Sequence, residues 1–145
     1  MKKFKIFLLL LPVALTLMAC PIGLEYPADE EGKNPIEKKL IGTWKSTNAE
    51  HEVQKVKIEK NDANSYKITV LEKGSMFSEE DLEYTGWVTK IDDLNILYFK
   101  SKNSKYYHYC YRIKDKKSFE IADMSLKVGG VDAVTSTQAL RDEIK

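Results

Sequence analysis

The chain has 145 residues, of which 43% are hydrophobic and 31% are charged, a composition typical of one globular domain and not of a disordered chain. The formal charge of +1 at pH 7 includes three lysines in the first five residues, where no acid balances them. Without those lysines, about 20 basic residues stand against 22 acidic ones, so the rest of the chain carries about −2. This balance excludes an electrostatic basis for binding nucleic acid.

The first 19 residues have the parts of a secretory signal peptide. Three lysines give a cationic start, and an apolar run of about 14 residues follows, from Ile6 to Ala19. As a helix this run would be about 21 Å long, too short to cross a hydrocarbon core of about 30 Å. Residues 1–19 therefore predict a cleaved signal peptide and not a permanent membrane span.

The apolar run ends in Leu17-Met18-Ala19-Cys20, which resembles the lipobox of bacterial lipoproteins. The resemblance implies lipidation of Cys20, cleavage between Ala19 and Cys20, and acyl chains such as palmitate that hold the mature protein to a membrane of the cell envelope. Two or three acyl chains bind a membrane far more strongly than one. In enteric-type sorting an Asp after the cysteine retains a lipoprotein at the inner membrane, so Pro21 favours the outer membrane of a Gram-negative cell. The alternative is an ordinary secretory signal that contains a cysteine.

Residues 20–33 predict a lipidated flexible tether. The segment after Cys20 holds two prolines, two glycines and the acidic run Asp29-Glu30-Glu31, and offers little that could pack in a core. Residues 34–145 then form the predicted folded domain.

The domain opens with a helix-start signal at Asn34-Pro35-Ile36-Glu37. Asn34 suits the N-cap, Pro35 the first helical position, and Glu37 completes a capping box. Leu40 lies four residues after Ile36 and would face inward with it. Gly42 and a β-type pattern follow at once, which keeps the predicted helix short.

From Thr43 to Asp123 the apolar residues alternate with a period of two, and polar turn clusters separate the runs. Seven short strands in unbroken succession predict a mainly β fold, an antiparallel up-and-down sheet that curls or closes into a barrel or half-barrel. After Gly129-Gly130, Thr135 and Gln138 suggest a second capping box, and Leu140 and Ile144 give the C-terminal helix an apolar edge.

The sequence Gly42-Thr43-Trp44, which follows the short helix, resembles the G-x-W motif of lipocalins and related calycins. In that family the tryptophan plugs one end of an eight-stranded barrel and an arginine covers it. Arg112 and Arg141 are the two candidates for that arginine. The chain from Leu40 to Ile121 resembles small lipocalin-like lipoproteins of unassigned function, which implies a lipocalin-like domain.

Few residues suggest chemistry. His108 and Cys110 lie two apart on one strand and would point the same way, so they could bind a metal with His51. The simpler interpretation makes Cys110 a small buried hydrophobe and His108 a residue at the sheet rim. Glu79-Glu80-Asp81 and Asp92-Asp93 lie at turns, where solvated acids are ordinary. We therefore expect no metal, no cofactor and no catalytic residues.

Aromatic residues are the most distinctive feature of the strands. Either cross-strand packing or a binding surface would account for them. Tyr107, Tyr109 and Tyr111 alternate with Tyr106, His108 and Cys110, and either set could face the core. The candidate ligand-binding residues are Trp44, Tyr84, Trp87, Tyr107, Tyr109 and Tyr111.

The sequence thus predicts a membrane-anchored, non-catalytic binding domain for a small apolar ligand. The alternative is a protein-interaction or inhibitor module of the envelope, like the small lipoprotein inhibitors of lysozyme. An enzyme is the third class. Expected partners are the membrane, through the lipid anchor, and either a small apolar ligand or an envelope protein.

Overall fold

The computed structural model describes residues 23–47, 53–73, 82–124, 126–127 and 130–144. These residues form one antiparallel sheet of seven strands in sequence order. The strands are β1 (Gly42–Lys45), β2 (Val53–Lys60), β3 (Tyr66–Lys73), β4 (Glu83–Ile91), β5 (Leu94–Lys100), β6 (Tyr106–Ile113) and β7 (Phe119–Asp123). The predicted mainly β, up-and-down fold is confirmed.

The sheet curls into a half-barrel. Its edge strands β1 and β7 meet through side chains, since the rings of Trp44 and Phe119 lie edge to face with centroids 4.7 Å apart. Over the described residues the backbone ladders join only strands that are consecutive in sequence, so no ladder closes β1 onto β7. Of the two predicted alternatives, the half-barrel is the one observed.

The predicted N-terminal helix is a single 3-10 turn at Lys38–Leu40. Its cap is Glu37, whose side chain accepts a hydrogen bond from the Lys39 N–H, and not Asn34. The Glu37 N–H instead donates to the buried hydroxyl of Tyr66 at 2.6 Å. Because this hydrogen bond fixes the segment to β3, the helix is limited to one turn. Leu40 is fully buried, as its spacing predicted.

The C-terminal helix α1 (Thr137–Glu143) is capped one residue later than the sequence suggested. Ser136, not Thr135, accepts a hydrogen bond from the Ala139 N–H, and Gln138 donates to Asp142 instead of completing a capping box. Leu140 and Ile144 are buried, which confirms the apolar edge predicted for this helix.

The sheet buries both of its faces in separate clusters. The inner, concave face carries the alternating apolar residues of β2 to β5, and Leu40 of the 3-10 turn packs against them. The outer face is covered by α1 and by residues 23–33, which we call the strap. The outer cluster consists of Leu24, Ala28, Trp87, Ile91, Ile96, Tyr98, Tyr106, Leu140 and Ile144.

The strap corrects the prediction of a flexible tether over residues 20–33, of which 20–22 lie outside the described residues. Leu24 pairs with Tyr106 through two backbone hydrogen bonds of 2.9 and 2.8 Å, and Ala28 is fully buried. The prediction failed because the strap is held by a few isolated apolar residues, by backbone groups and by the Asp29 carboxylate, none of which gives a periodic signal. Cys20 and the predicted signal peptide also lie outside the described residues.

Candidate functional site

The aromatic residues proposed for ligand binding divide between the two faces of the sheet. Tyr84, Tyr107, Tyr109 and Tyr111 share the inner face with Trp44. Trp87 does not join them: it is buried in the outer cluster and stacks on Tyr98 with ring centroids 5.6 Å apart. Strand alternation explains the division, because Trp87 lies an odd number of residues from Tyr84.

The inner face is packed solid around Tyr66 and the 3-10 turn. Tyr66 and Leu40 have no exposed surface, and the other buried members of the cluster expose at most 7%. The Tyr66 hydroxyl also donates to the carbonyl oxygen of Glu37 at 3.1 Å, which satisfies its polar end. This half of the concave face therefore works as an ordinary core. The buried members are Leu40, Ile58, Tyr66, Ile68, Val70, Tyr84, Val88 and Leu97.

Aromatic ring contacts continue the inner face across β4, β5 and β6. The Phe99 ring lies 5.1 Å from that of Tyr84, 5.7 Å from that of Tyr107 and 5.6 Å from that of Tyr109. The Phe99 and Tyr109 planes are only 11° from parallel. These contacts are cross-strand packing, which the sequence offered as one account of the aromatic residues.

The partly exposed part of the inner face lies where β1 and β7 approach each other. Cross-strand pairs flank this opening: Trp44 lies opposite Val56, Ile113 opposite Phe119, and Tyr111 opposite Ile121. Ile121 is 42% exposed, and the others are half-buried. We call these six residues the seam cluster: Trp44, Val56, Tyr111, Ile113, Phe119 and Ile121.

Fixed contacts hold the seam cluster in place. The indole N–H of Trp44 donates to the Leu40 carbonyl oxygen at 2.9 Å, so the ring is oriented by the 3-10 turn. Burial raises the pKa of the Tyr111 hydroxyl to about 12, which keeps it protonated and able to donate a hydrogen bond. The arginine implied by the lipocalin resemblance is elsewhere, because Arg112 pairs with Glu120 and Arg141 binds the strap. In this structure the Phe119 ring packs against Trp44 instead.

His108 is buried, and the expected position at the sheet rim is wrong. It lies on the outer face, 8% exposed, between Tyr98 and Tyr106. The backbone of Tyr26 approaches the ring without completing a hydrogen bond to either nitrogen. Burial lowers the pKa of His108 to about 4, so the imidazole is neutral at pH 7.

Cys110 is half-buried on the same face, and burial raises the pKa of its thiol. It packs against the outer cluster, as expected of a small hydrophobe. His51, the third ligand considered, lies outside the described residues. Within the described ranges no three His, Cys, Asp or Glu side chains are grouped to hold a metal ion.

Asp29 fixes the strap to the sheet. Its carboxylate accepts hydrogen bonds from the Thr89 hydroxyl at 2.7 Å and the Lys33 ammonium at 2.9 Å, and Arg141 lies 3.4 Å away. Burial raises the pKa of this carboxyl, but the hydrogen bonds from Thr89, Lys33 and the Glu30 N–H outweigh that effect and lower it to about 2. Asp29 is therefore a structural acid that is fully ionised near neutral pH.

An open depression of about 440 Å³ lies beside the β2–β3 turn. Its lining is mainly apolar and comes from the chain before β1 and from the turn itself. The Ala63 carbonyl oxygen in the turn accepts a hydrogen bond from the Ile36 N–H. The wall residues are Pro35, Ile36, Lys38, Ile41, Lys60 and Ala63.

The two acidic runs noted in the sequence add no site. Asp92 and Asp93 are exposed in the β4–β5 turn, where Asp92 has a φ of 50°. Glu79, Glu80 and Asp81 lie outside the described residues.

Comparison with protein-family models, curated proteins and solved structures finds no match to the chain. Among the residues that the structure describes, no helix has the length and apolar character needed to cross a bilayer.

Four of the six seam residues were missed by the sequence reasoning: Val56, Ile113, Phe119 and Ile121. Each reads as an ordinary strand residue, and the opening exists only because the curl brings β1 and β7 together. A signal was available in the alternation of β7, since Phe119 and Ile121 must share the face of Trp44 if the sheet closes on itself.

Proposed function

We propose that the protein is an envelope lipoprotein whose β domain binds a small apolar ligand at the seam cluster, without catalysis. One observation carries the proposal: the six residues of the seam cluster lie where the edge strands approach each other and none is fully buried, five of them packing against the inner cluster and Ile121 being 42% exposed. An apolar surface of this kind lowers its free energy by binding an apolar partner.

The membrane part of the proposal rests on the sequence. The cationic start, the apolar run of residues 6–19 and Leu17-Met18-Ala19-Cys20 are the features expected of a lipidated precursor. With the signal peptide removed and Cys20 acylated, the protein would act at the membrane surface of the envelope.

The placement of the titratable groups favours binding over catalysis. His108 and Cys110 lie on the outer face, behind the sheet from the seam cluster, as a neutral imidazole and a protonated thiol. Neither group can reach a ligand at the opening. Among the described side chains of the seam cluster, the Trp44 indole N–H already donates to the Leu40 carbonyl oxygen, which leaves the Tyr111 hydroxyl as the polar group that could orient a ligand.

The ligand proposal is tested with an acyl-free chain from Pro21 to Lys145, which retains the strap. The Trp87→Phe substitution leaves Trp44 as the sole tryptophan of the two in the chain. We expect an anilinonaphthalene sulfonate probe to bind with saturation and to quench Trp44 emission. Quenching that grows linearly with probe concentration would contradict a defined site.

A matched pair of variants locates the site. Ile121→Ser should weaken the probe about tenfold, because it removes exposed apolar area at the seam. Leu71→Ser, at a leucine that is 47% exposed elsewhere on the sheet, should leave the affinity unchanged. Equal losses in the two variants would place the probe away from the seam cluster.

A protein partner is the second candidate, favoured by the packed half of the inner face, which leaves a shallow opening instead of a deep pocket. A photo-crosslinking residue placed at position 121 would then capture a defined envelope protein, and the same residue at position 71 would not.

A further inference from the structure

The strap begins at one particular end of the sheet. Besides the Leu24–Tyr106 pairing, Glu25 forms an ion pair of 3.2 Å with Lys105. A Cβ atom added to Gly23 would lie 2.9 Å from the Cβ atom of Lys105. Gly23 therefore lies beside the β5–β6 turn, Ser101–Lys105. Successive turns of an antiparallel meander alternate between its two ends, so the β2–β3 turn lies at the end opposite to the β5–β6 turn.

The strap finishes at the opposite end. After the Asp29–Thr89 contact, the Gly32 carbonyl oxygen accepts a hydrogen bond of 2.6 Å from the side chain of Asn64, in the β2–β3 turn. The strands between the two ends have up to nine residues, which corresponds to about 30 Å at about 3.3 Å per residue. The strap thus crosses the outer face from one end of the half-barrel to the other.

Covalent geometry then limits how far the anchor can be. Cys20 precedes Gly23 by three residues, and three residues span at most about 10 Å even when fully extended. A lipid on Cys20 therefore cannot lie far from the β5–β6 turn. A flexible tether of 13 residues would leave the domain free to rotate relative to the membrane, whereas the bound strap restricts that rotation.

The turn that lies next to the anchor has the chemistry of a headgroup contact. Ser101-Lys102-Asn103-Ser104-Lys105 exposes its middle three residues, of which Lys102 is cationic, while Lys105 is paired with Glu25 of the strap. Lysine side chains near a membrane surface are attracted to lipid phosphates, most strongly where the leaflet is anionic.

We propose that the β5–β6 turn rests on the phospholipid headgroups of the membrane that holds the Cys20 anchor, so that the β2–β3 turn and its apolar depression face away from that membrane. This orientation rests on the proposed lipidation. It places the depression beside Ala63 at the end of the domain that faces away from the bilayer.

The test uses the mature, lipidated full-length protein in vesicles of phosphatidylcholine and phosphatidylglycerol that contain a headgroup spin label. In a Cys110→Ala background, a fluorophore is attached at Asn103→Cys in the β5–β6 turn or at Ala63→Cys in the β2–β3 turn. Both positions are exposed, so each label tolerates attachment. We expect several-fold stronger quenching at position 103 than at position 63.

Vesicle flotation separates the two proposals. If the protein floats with the vesicles but both labels are quenched equally, the orientation is wrong and the anchor stands. If the protein does not float, the anchor fails and the orientation fails with it. The variant Lys102→Gln should lower the quenching at position 103 and leave flotation unchanged; unchanged quenching would remove this lysine from the contact.

Discussion

Each face of the sheet carries an apolar cluster, and the two clusters are buried in different ways. The outer face is covered by the strap and α1, and its cluster is completed by residues from both ends of the chain, such as Leu24 and Leu140. The inner face covers itself by curling, and the curl stops before β1 and β7 pair. Added segments therefore bury the outer cluster, whereas burial by curvature leaves the seam cluster partly exposed to water.

Blocking the lipid anchor has the largest expected effect. It removes the connection of the strap to the membrane and leaves the strap in place as a cover of the outer face. Cys20→Ser should abolish acylation and leave unprocessed precursor, since the thiol must be alkylated before cleavage after Ala19. Metabolic labelling with a fatty acid and the size of the protein on a gel measure both steps. A Cys20→Ser protein that is still labelled and processed would rule out the anchor.

Two fully buried leucines measure whether the two faces contribute equally to stability. Leu140 lies in the outer cluster and Leu40 in the inner one, and neither has exposed surface. Replacing either with Ala should lower the free energy of unfolding by about 2–5 kcal/mol, because each change removes buried area and leaves a cavity. Urea melts of the acyl-free chain provide the measurement.

The outer leucine gives the sharper outcome. If Leu140→Ala costs less than about 1 kcal/mol while Leu40→Ala stays in the expected range, α1 is only loosely attached and the outer layer is not a second core. Equal losses would establish that the segments covering the outer face are part of the folded unit.

Acid should weaken the outer face first. The pKa of His108 is lowered from an ordinary 6.5 to about 4 by burial, so its neutral form stabilises the fold above about pH 6.5 and this stability is lost as pH falls toward 4. The loss amounts to about 3 kcal/mol between these limits. Asp29 adds a second loss below about pH 4, as its lowered pKa is approached.

Unfolding free energies measured from pH 7 to pH 3 test this order. His108→Phe keeps an aromatic ring between Tyr98 and Tyr106 and should flatten the curve between pH 6.5 and 4, while the Asp29 step remains. A curve that keeps its full slope in this variant would show that His108 is not the group responsible.

The strands and turns could be predicted from the sequence because their cause is local. Alternation at Tyr66, Ile68 and Val70 fixes a strand, and a turn such as Asn61–Ser65 closes with its own side chains, where the Asp62 carboxylate accepts a hydrogen bond from the Asn64 N–H. The exact caps were harder to predict. Glu37 replaces Asn34 as the cap of the 3-10 turn, where its N–H is bound by the distant Tyr66 hydroxyl, and Ser136 replaces the neighbouring Thr135 at the start of α1.

The strap and the seam could not be predicted, because both depend on contacts between distant parts of the chain. Asp29 looks like one acid in a solvated run until Thr89, 60 residues away, donates to it. Phe119 and Trp44 meet only when seven strands have added their twist. A sequence pattern reports which residues share a face, but it does not report how far a sheet curls.

The smallest expected effect concerns Cys110, which reports on the outer layer without disturbing it. Its thiol is half-buried and burial raises its pKa, so in the native acyl-free chain it should react with a maleimide at least about tenfold more slowly than in the unfolded chain.

Asp29→Asn removes the charge that holds Lys33 and Arg141, and should speed the reaction by loosening the strap. Glu72→Gln, which removes a surface partner of Lys55, is the control and should not change the rate. Labelling that is equally fast in the native and unfolded chains would place Cys110 in open solvent and revive a metal or redox role for it. An unchanged rate in Asp29→Asn would mean that the thiol is protected by α1 and not by the strap.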